Sequence, residues 1–217
     1  SGQSTITATN VNRKSATQIT CTLPITGAAT GGWTVELTTG GQTVKTDGFT
    51  ITAPTPTSGY EFVRSWGTKG SGNGQFDLPH GITTDSSGNV YVTDGYNHRI
   101  QKFDSNGVYI TKWGTEGSGN GQFEIPEDIA IDLSGNIYVA DCFNHRIQKF
   151  NSNGVFVAKW GTEGSGNGQF SYPGGIDVDS AGNVYVAEWG NYRIQKFTPN
   201  GVFVAKWGAY GTGNGQF

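Results

Sequence analysis

The string GSGNGQF runs over Gly70–Phe76, Gly117–Phe123 and Gly164–Phe170, and GTGNGQF fills the matching stretch Gly211–Phe217. Each copy starts 47 residues after the one before, without insertion or deletion. A fixed period of this length is the mark of a repeat architecture. Within each period a proline (Pro79, Pro126, Pro173) leads a short alternating run, GITTD, DIAID or GIDVD. A Gly-Asn pair follows, then NVYVTD, NIYVAD or NVYVAE, then RIQKF in all three, then Asn-Gly and GVYITKWG or GVFVAKWG. The runs are β-branched and aromatic, and the pairs between them supply the positive-φ positions of tight hairpins. Four antiparallel strands per period describe one blade of a β-propeller.

No segment between strands has room for a crossover helix, which excludes a parallel sheet, and a sandwich does not explain the strict period. NVYV and NIYV are apolar on both sides of the strand, as required where each sheet is covered on both faces. Phe103, Phe150 and Phe197 are expected in the core.

The pattern Pro-x-x-Ile-x-x-Asp-x-x-Gly-Asn-x-Tyr-Val-Ala-Asp-x-x-Asn-x-Arg-Ile-Gln-Lys-Phe resembles the NHL repeat over about residues 59–217. The resemblance implies an all-β, partial NHL-type propeller of three complete blades with partial ends. It places strand a near 81–85, b near 89–94, c near 99–103 and d near 107–113, with a further d-like strand at Glu61–Trp66. Members of the family are mostly six-bladed interaction platforms, with some RNA binders and a minority of lyases and esterases.

Residues 1–58 differ, with 17 Thr and only five charged residues. TQITCTL, WTVELTT and GFTIT alternate as strands with one buried face. With Thr26–Gly31 between them, they resemble the second half of an IPT/TIG-type immunoglobulin-like module, a component of secreted and surface proteins. The domains are therefore read as a partial Ig-like β module at 1–52, a Pro/Thr linker at 53–59 and propeller blades at 60–217. The absence of Met reads as a processed product or a piece of something longer. An extracellular or cell-surface location is expected.

A net charge of −3 provides no positive field to hold phosphates, so nucleic acid is not an expected partner. No apolar stretch is long enough for membrane insertion as a helix. Cys21 and Cys142 fit no metal spacing and read as free thiols. No cofactor or metal is expected. The family's lyases hold a metal on histidine in the central channel, but His98 and His145 occupy one repeat position and His80 another.

Asp85, Asp132 and Asp179 recur at one repeat position, and Asp94, Asp141 and Glu188 at another, with Arg99, Arg146 and Arg193 five residues after the latter. Recurrence in every blade assigns these residues to holding the blade together. Positions that vary between repeats are freer to carry function: Gly95-Tyr96, Cys142-Phe143 and Trp189-Gly190 after strand b, and His80, Glu127-Asp128 and Gly174 before strand a. Tyr96, Phe143, Trp189, His80 and Asp128 are the candidate binding residues, the aromatics as an arc for sugar rings or protein.

The expected function is a structural, adhesive or protein-interaction module that is not an enzyme. It associates with copies of itself or adjoining segments of a longer chain, as a surface fibre or filament subunit, with surface polysaccharide or protein as further partners. The alternative is a propeller-type lyase or hydrolase acting on an extracellular polymer. The face containing Val184, Val186 and Ile194 is expected to be left open by the last blade.

Overall fold

A computed structural model describes residues 62–217 and, before them, the backbone of four strands. Those are β1 (Thr9–Arg13), β2 (Ile19–Thr22), β3 (Gly31–Thr39) and β4 (Gln42–Ile51), forming antiparallel pairs β1–β2 and β3–β4. The immunoglobulin-like reading of 1–52 rests on side chains outside the described residues, and the linker at 53–59 lies outside them altogether. The chain divides into Ser1–Phe62 and Val63–Phe217.

The second unit is all-β, built of three four-stranded antiparallel sheets in simple sequential order. The first contains β5 (Pro79–Thr84), β6 (Val90–Asp94), β7 (Arg99–Phe103) and β8 (Tyr109–Trp113). The second contains β9 (Pro126–Ile131), β10 (Ile137–Asp141), β11 (Arg146–Phe150) and β12 (Phe156–Trp160). The third contains β13 (Pro173–Val178), β14 (Val184–Glu188), β15 (Arg193–Phe197) and β16 (Phe203–Trp207). This arrangement is compatible with a partial propeller, and the sheets are called blades 1 to 3 below, with strands a to d in order. The helices among the described residues are two three-residue 3-10 turns, Gly95–Asn97 and Cys142–Asn144.

Two side-chain devices shape each blade. At the a–b turn, Asp85 Oδ1 accepts the backbone N–H groups of Ser87 and Asn89, while its Oδ2 accepts Asn89 Nδ2 at 2.8 Å and the Tyr91 hydroxyl at 3.0 Å. Asp132 and Asp179 repeat this set. The carboxylate thus replaces turn bonds that the backbone cannot close by itself. At Asp179 the Asn183 side chain is the largest influence, and with Tyr185 and the turn N–H groups it holds the carboxyl at about 2 against the opposing effect of burial. A folded-state value below the unfolded one stabilises above the unfolded value of 3.8, and that contribution is lost as the pH falls toward about 2. A carbon-detected NMR titration should therefore give an Asp179 midpoint near 2, and a midpoint near 4 would contradict the turn assignment.

The second device is the buried clasp. Arg146 Nε donates to Asp141 Oδ2 at 2.7 Å, and the guanidinium then reaches back along the chain to the carbonyls of Ser118, Gly119 and Gln122. Gln148 adds bonds to Asp141 and to Gln122 O, and Asn144 joins Asp141 to Gly117 O. The glycine-rich stretch 117–123, which enters blade 2 from strand d of blade 1, is thereby tied to blade 2. Arg99 with Asp94 and Arg193 with Glu188 make the same connections to 70–76 and 164–170. Burial raises the Asp141 carboxyl above its ordinary value, opposed by the Glu124 N–H, Arg146 and Asn144. That opposition explains why the acid comes with several donors.

The core lies between blades. Tyr91 and Ile100 of blade 1 pack with Phe123, Ile129, Ile137, Val139 and Phe150, which belong to blade 2 and its entry loop. One repeat later Tyr138, Ala140 and Ile147 pack with Phe170, Ile176, Val184, Val186 and Phe197. Val184 and Val186 are therefore fully buried against blade 2, which corrects the expectation that they line the open face. The open face of blade 3 instead carries Tyr185, Ala187 and Ile194, the repeat positions of Tyr138, Ala140 and Ile147.

A second correction concerns Glu61–Trp66. Its described residues, 62–66, make no strand ladder. Trp66 still takes the place of a strand-d tryptophan, 6.2 Å from the Phe103 ring.

Candidate functional site

The variable positions gather where strand a begins and strand b ends, so that one blade end collects them. Leu78, Ile125 and Tyr172 precede strand a with φ of 56°, 51° and 51°. For a β-branched residue such as Ile125 this left-handed conformation is an outlier. It is over-determined locally, because the carbonyls around it receive the N–H groups of the b–c turn: Leu78 O from Gly95, Glu124 O from Phe143, Tyr172 O from Trp189. His98 and His145, also left-handed, accept the N–H groups of Ile125 and Tyr172 at their Nδ1 atoms, 3.3 and 3.2 Å away.

His80 lies inside strand a of blade 1, and its Nδ1 is 3.0 Å from Oε2 of Glu127 at the same repeat position of blade 2. Glu127 is buried, and its backbone carbonyl accepts the Thr93 hydroxyl of blade 1 at 2.9 Å. Burial raises the Glu127 carboxyl, His80 lowers it, and Asp128 raises it. Asp128 accepts its own neighbour's N–H, from Ile129 at 2.8 Å, and across the blade boundary the N–H of Ile176 at 2.9 Å. The Cys142 thiol is buried beside these acids, and burial, then Glu127 and Asp141, push it up to about 12. At neutral pH it is a thiol and not a nucleophile.

Of the candidate aromatics, Tyr96, Phe143 and Trp189 are all exposed. Phe143 meets Tyr172 edge-on at 5.4 Å, and Tyr172 also lies 4.7 Å from the His145 ring. Trp189 folds over Gly174, whose missing Cβ leaves room for the indole nitrogen. The structure thus brings His80 to Glu127, sets Asp128 across the next blade boundary, and leaves Tyr96, Phe143 and Trp189 on separate blade ends. Asp94, Asp141, Glu188, Arg99, Arg146 and Arg193 sit in the clasps. Among the described residues no three His, Cys, Asp or Glu side chains converge as a cation cage.

Glu127 and Tyr172 are the residues that sequence reasoning undervalued. Glu127 had a signal, since it occupies the repeat position of His80. Tyr172 had none, because Leu78 and Ile125 stand at its position in the other repeats.

The His80–Glu127 pair, half open to water on the histidine side, can exchange a proton and hold a polar group, and the exposed aromatics can stack against planar apolar groups. Replacing Glu127 by alanine leaves Thr93 bonded to the backbone but removes the acceptor facing His80. The His80 ring resonances should move in NMR spectra of this variant, and unchanged resonances would contradict the pairing.

Among solved structures, a streptogramin B lyase matches with 21% identity and a TM-score of 0.47 over 58% of this chain and 39% of its own. A catalytically inactive virginiamycin B lyase from Staphylococcus aureus with quinupristin matches with 16% identity and a TM-score of 0.49 over 93% and 55%. A gluconolactonase from Xanthomonas campestris matches with 14% identity and a TM-score of 0.47 over 63% and 48%. The chain thus spans between about two fifths and just over half of these proteins' lengths. No curated protein matches the chain. The expectation that the chain is not an enzyme does not stand: the matched structures include lyases and a lactonase, and at 14–21% identity and TM-scores below 0.5 they assign this chain neither an activity nor the lack of one. The NHL repeat model matches residues 76–103, 123–150 and 170–197, the stretches from entry-loop phenylalanine to the end of strand c, and the chain therefore carries three NHL repeats.

Proposed function

We propose that the NHL blades form an interaction module whose end faces pack against further blades, those of adjoining segments in a longer chain or, for this chain by itself, those of a second copy, blade 3 of one packing on blade 1 of the next. The observation that carries this reading is the contrast within one repeat position. Ile129 and Ile176 are 3% and 7% exposed under a preceding blade, whereas Ile82 of blade 1 is 63% exposed. At the other end Ala187 is exposed and Tyr185 and Ile194 are half-buried, although Tyr138, Ala140 and Ile147 are fully buried. The two open faces are the two halves of an interface that the chain builds twice internally, between blades 1 and 2 and between blades 2 and 3.

Covering an isoleucine contributes about 1.5–3 kcal/mol at full burial, so each open face offers a real driving force. A head-to-tail contact of this kind closes into a ring when the rotation permits and otherwise extends as a filament. The extracellular setting stays part of this reading, resting on the immunoglobulin-like resemblance of residues 1–58, with surface polymers or proteins as further partners of the exposed aromatics.

Ile82→Asp and Ala187→Asp test the reading at opposite faces. Both positions are exposed, so each variant should unfold within about 0.5 kcal/mol of the parent. Each should lose the concentration-dependent rise in mass expected of the parent, and retention of that rise in both variants would contradict the proposed interface.

A further inference from the structure

Each blade carries two Asn-Gly pairs. One lies in the glycine-rich entry loop, as Asn73-Gly74, Asn120-Gly121 and Asn167-Gly168, and the other at the c–d hairpin tip, as Asn106-Gly107, Asn153-Gly154 and Asn200-Gly201. All six asparagines are exposed, and all six glycines hold φ between 75° and 78°. Neither exposure nor the glycine conformation tells the two sets apart. What differs is the acceptor of the glycine N–H.

In the entry loops the acceptor is a side chain. Gly74, Gly121 and Gly168 donate to Oε1 of Gln101, Gln148 and Gln195, each at 2.9 Å, and these glutamines are fully buried. Each glutamine is itself fixed, its Nε2 donating to the clasp acid and to the carbonyl of Gln75, Gln122 or Gln169. Releasing the glycine N–H there means opening the clasp. At the tips the acceptor is the backbone of the same turn: Gly107, Gly154 and Gly201 donate to the carbonyls of Asp104, Asn151 and Thr198, each at 2.9 Å. Strand d is the last strand of its sheet, so fraying of one exposed hairpin frees these groups at little cost.

We propose that Asn106, Asn153 and Asn200 are sites of spontaneous conversion to aspartate and isoaspartate, and that Gln101, Gln148 and Gln195 withhold the same reaction from Asn73, Asn120 and Asn167. The glycine nitrogen gives up its proton to solvent base and attacks the asparagine Cγ, for which it must first leave its acceptor. The N–Cγ bond forms, the Cγ–Nδ2 bond breaks, and ammonia departs with a proton taken from water. Water then adds to either carbonyl of the cyclic imide, giving aspartate or isoaspartate. Glycine permits the approach because it has no Cβ to obstruct the ring. Both products add a negative charge, and isoaspartate adds a methylene to the backbone. Each tip also carries an indole, Trp66 on Gly107, Trp113 on Gly154 and Trp160 on Gly201. Conversion therefore acts on the packing at the blade boundaries, within one copy and without any self-association.

Peptide mapping by mass spectrometry after incubation in mildly alkaline buffer tests this, with the folded chain and the chain in urea side by side. In the folded chain the three tip asparagines should convert at least about 10-fold faster than the three entry-loop asparagines. In urea the two sets should convert at comparable rates. Gln148→Met should raise the rate at Asn120 alone, by about 10-fold, with Asn73 and Asn167 as internal controls. If that variant does not fold, Asn73 and Asn167 rise with Asn120, and the comparison in the parent decides by itself. Equal rates for the two sets in the folded parent, or a difference that persists in urea, would overturn the proposal. An unmoved Asn120 in folded Gln148→Met would overturn the role of the glutamines.

Discussion

Arg146→Ala is expected to destabilise the chain by about 3–5 kcal/mol, the usual cost of removing one partner from a buried ion pair. The side chain of Asp141 is fully enclosed, and Arg146 is its closest cationic partner at 2.7 Å. Without the guanidinium, Asp141 keeps Asn144, Gln148 and the Glu124 N–H, but no charge balances it. The carbonyls of Ser118, Gly119 and Gln122 lose the guanidinium at the same time, Gly119 keeping the Gln122 N–H and Gln122 keeping Gln148. Arg146→Lys should recover only part of the loss, since an ammonium cannot serve the carboxylate and three carbonyls in the fixed geometry of a guanidinium. Equilibrium urea unfolding reads the effect, and a change below about 1 kcal/mol would contradict the clasp as a stabilising device.

Phe150→Ala is the second large effect, about 3–5 kcal/mol. Phe150 is fully buried at the boundary of blades 1 and 2, with ring centroids of Phe123, Trp113 and Phe156 at 5.6, 6.0 and 6.1 Å. The three neighbours come from the entry loop, the preceding blade's strand d and the same blade's strand d, so no single backbone shift can close the cavity. The loss should therefore sit at the upper end of the range, because cost grows with the volume left unfilled. Phe150→Leu should recover most of it, and a Phe150→Ala variant within 1 kcal/mol of the parent would show that the boundary is not the core.

The blades were legible because their period, turns and strand composition agree. Strand c was read at 99–103 and observed at Arg99–Phe103, since RIQKF is bounded on both sides by turn residues. What the sequence concealed is which face of a strand meets which neighbour. Strand b is apolar on both faces, so alternation cannot tell Val184 and Val186, turned toward blade 2, from Tyr185 and Ala187, turned away. Glu61–Trp66 misled for a related reason. It has the residues of a strand d, but a strand needs a hydrogen-bonding neighbour, and Trp66 finds Phe103 without one. The His80–Glu127 pair joins positions one full period apart, a distance at which local pattern carries no information about contact.

The most direct test of the interaction-module account is the weight-average mass of the full chain by sedimentation equilibrium across a micromolar range. A reversible rise from 23.1 kDa toward multiples of that mass is predicted, abolished by Ile82→Asp. A cooperative, well-folded species that stays at 23.1 kDa at every concentration would contradict it.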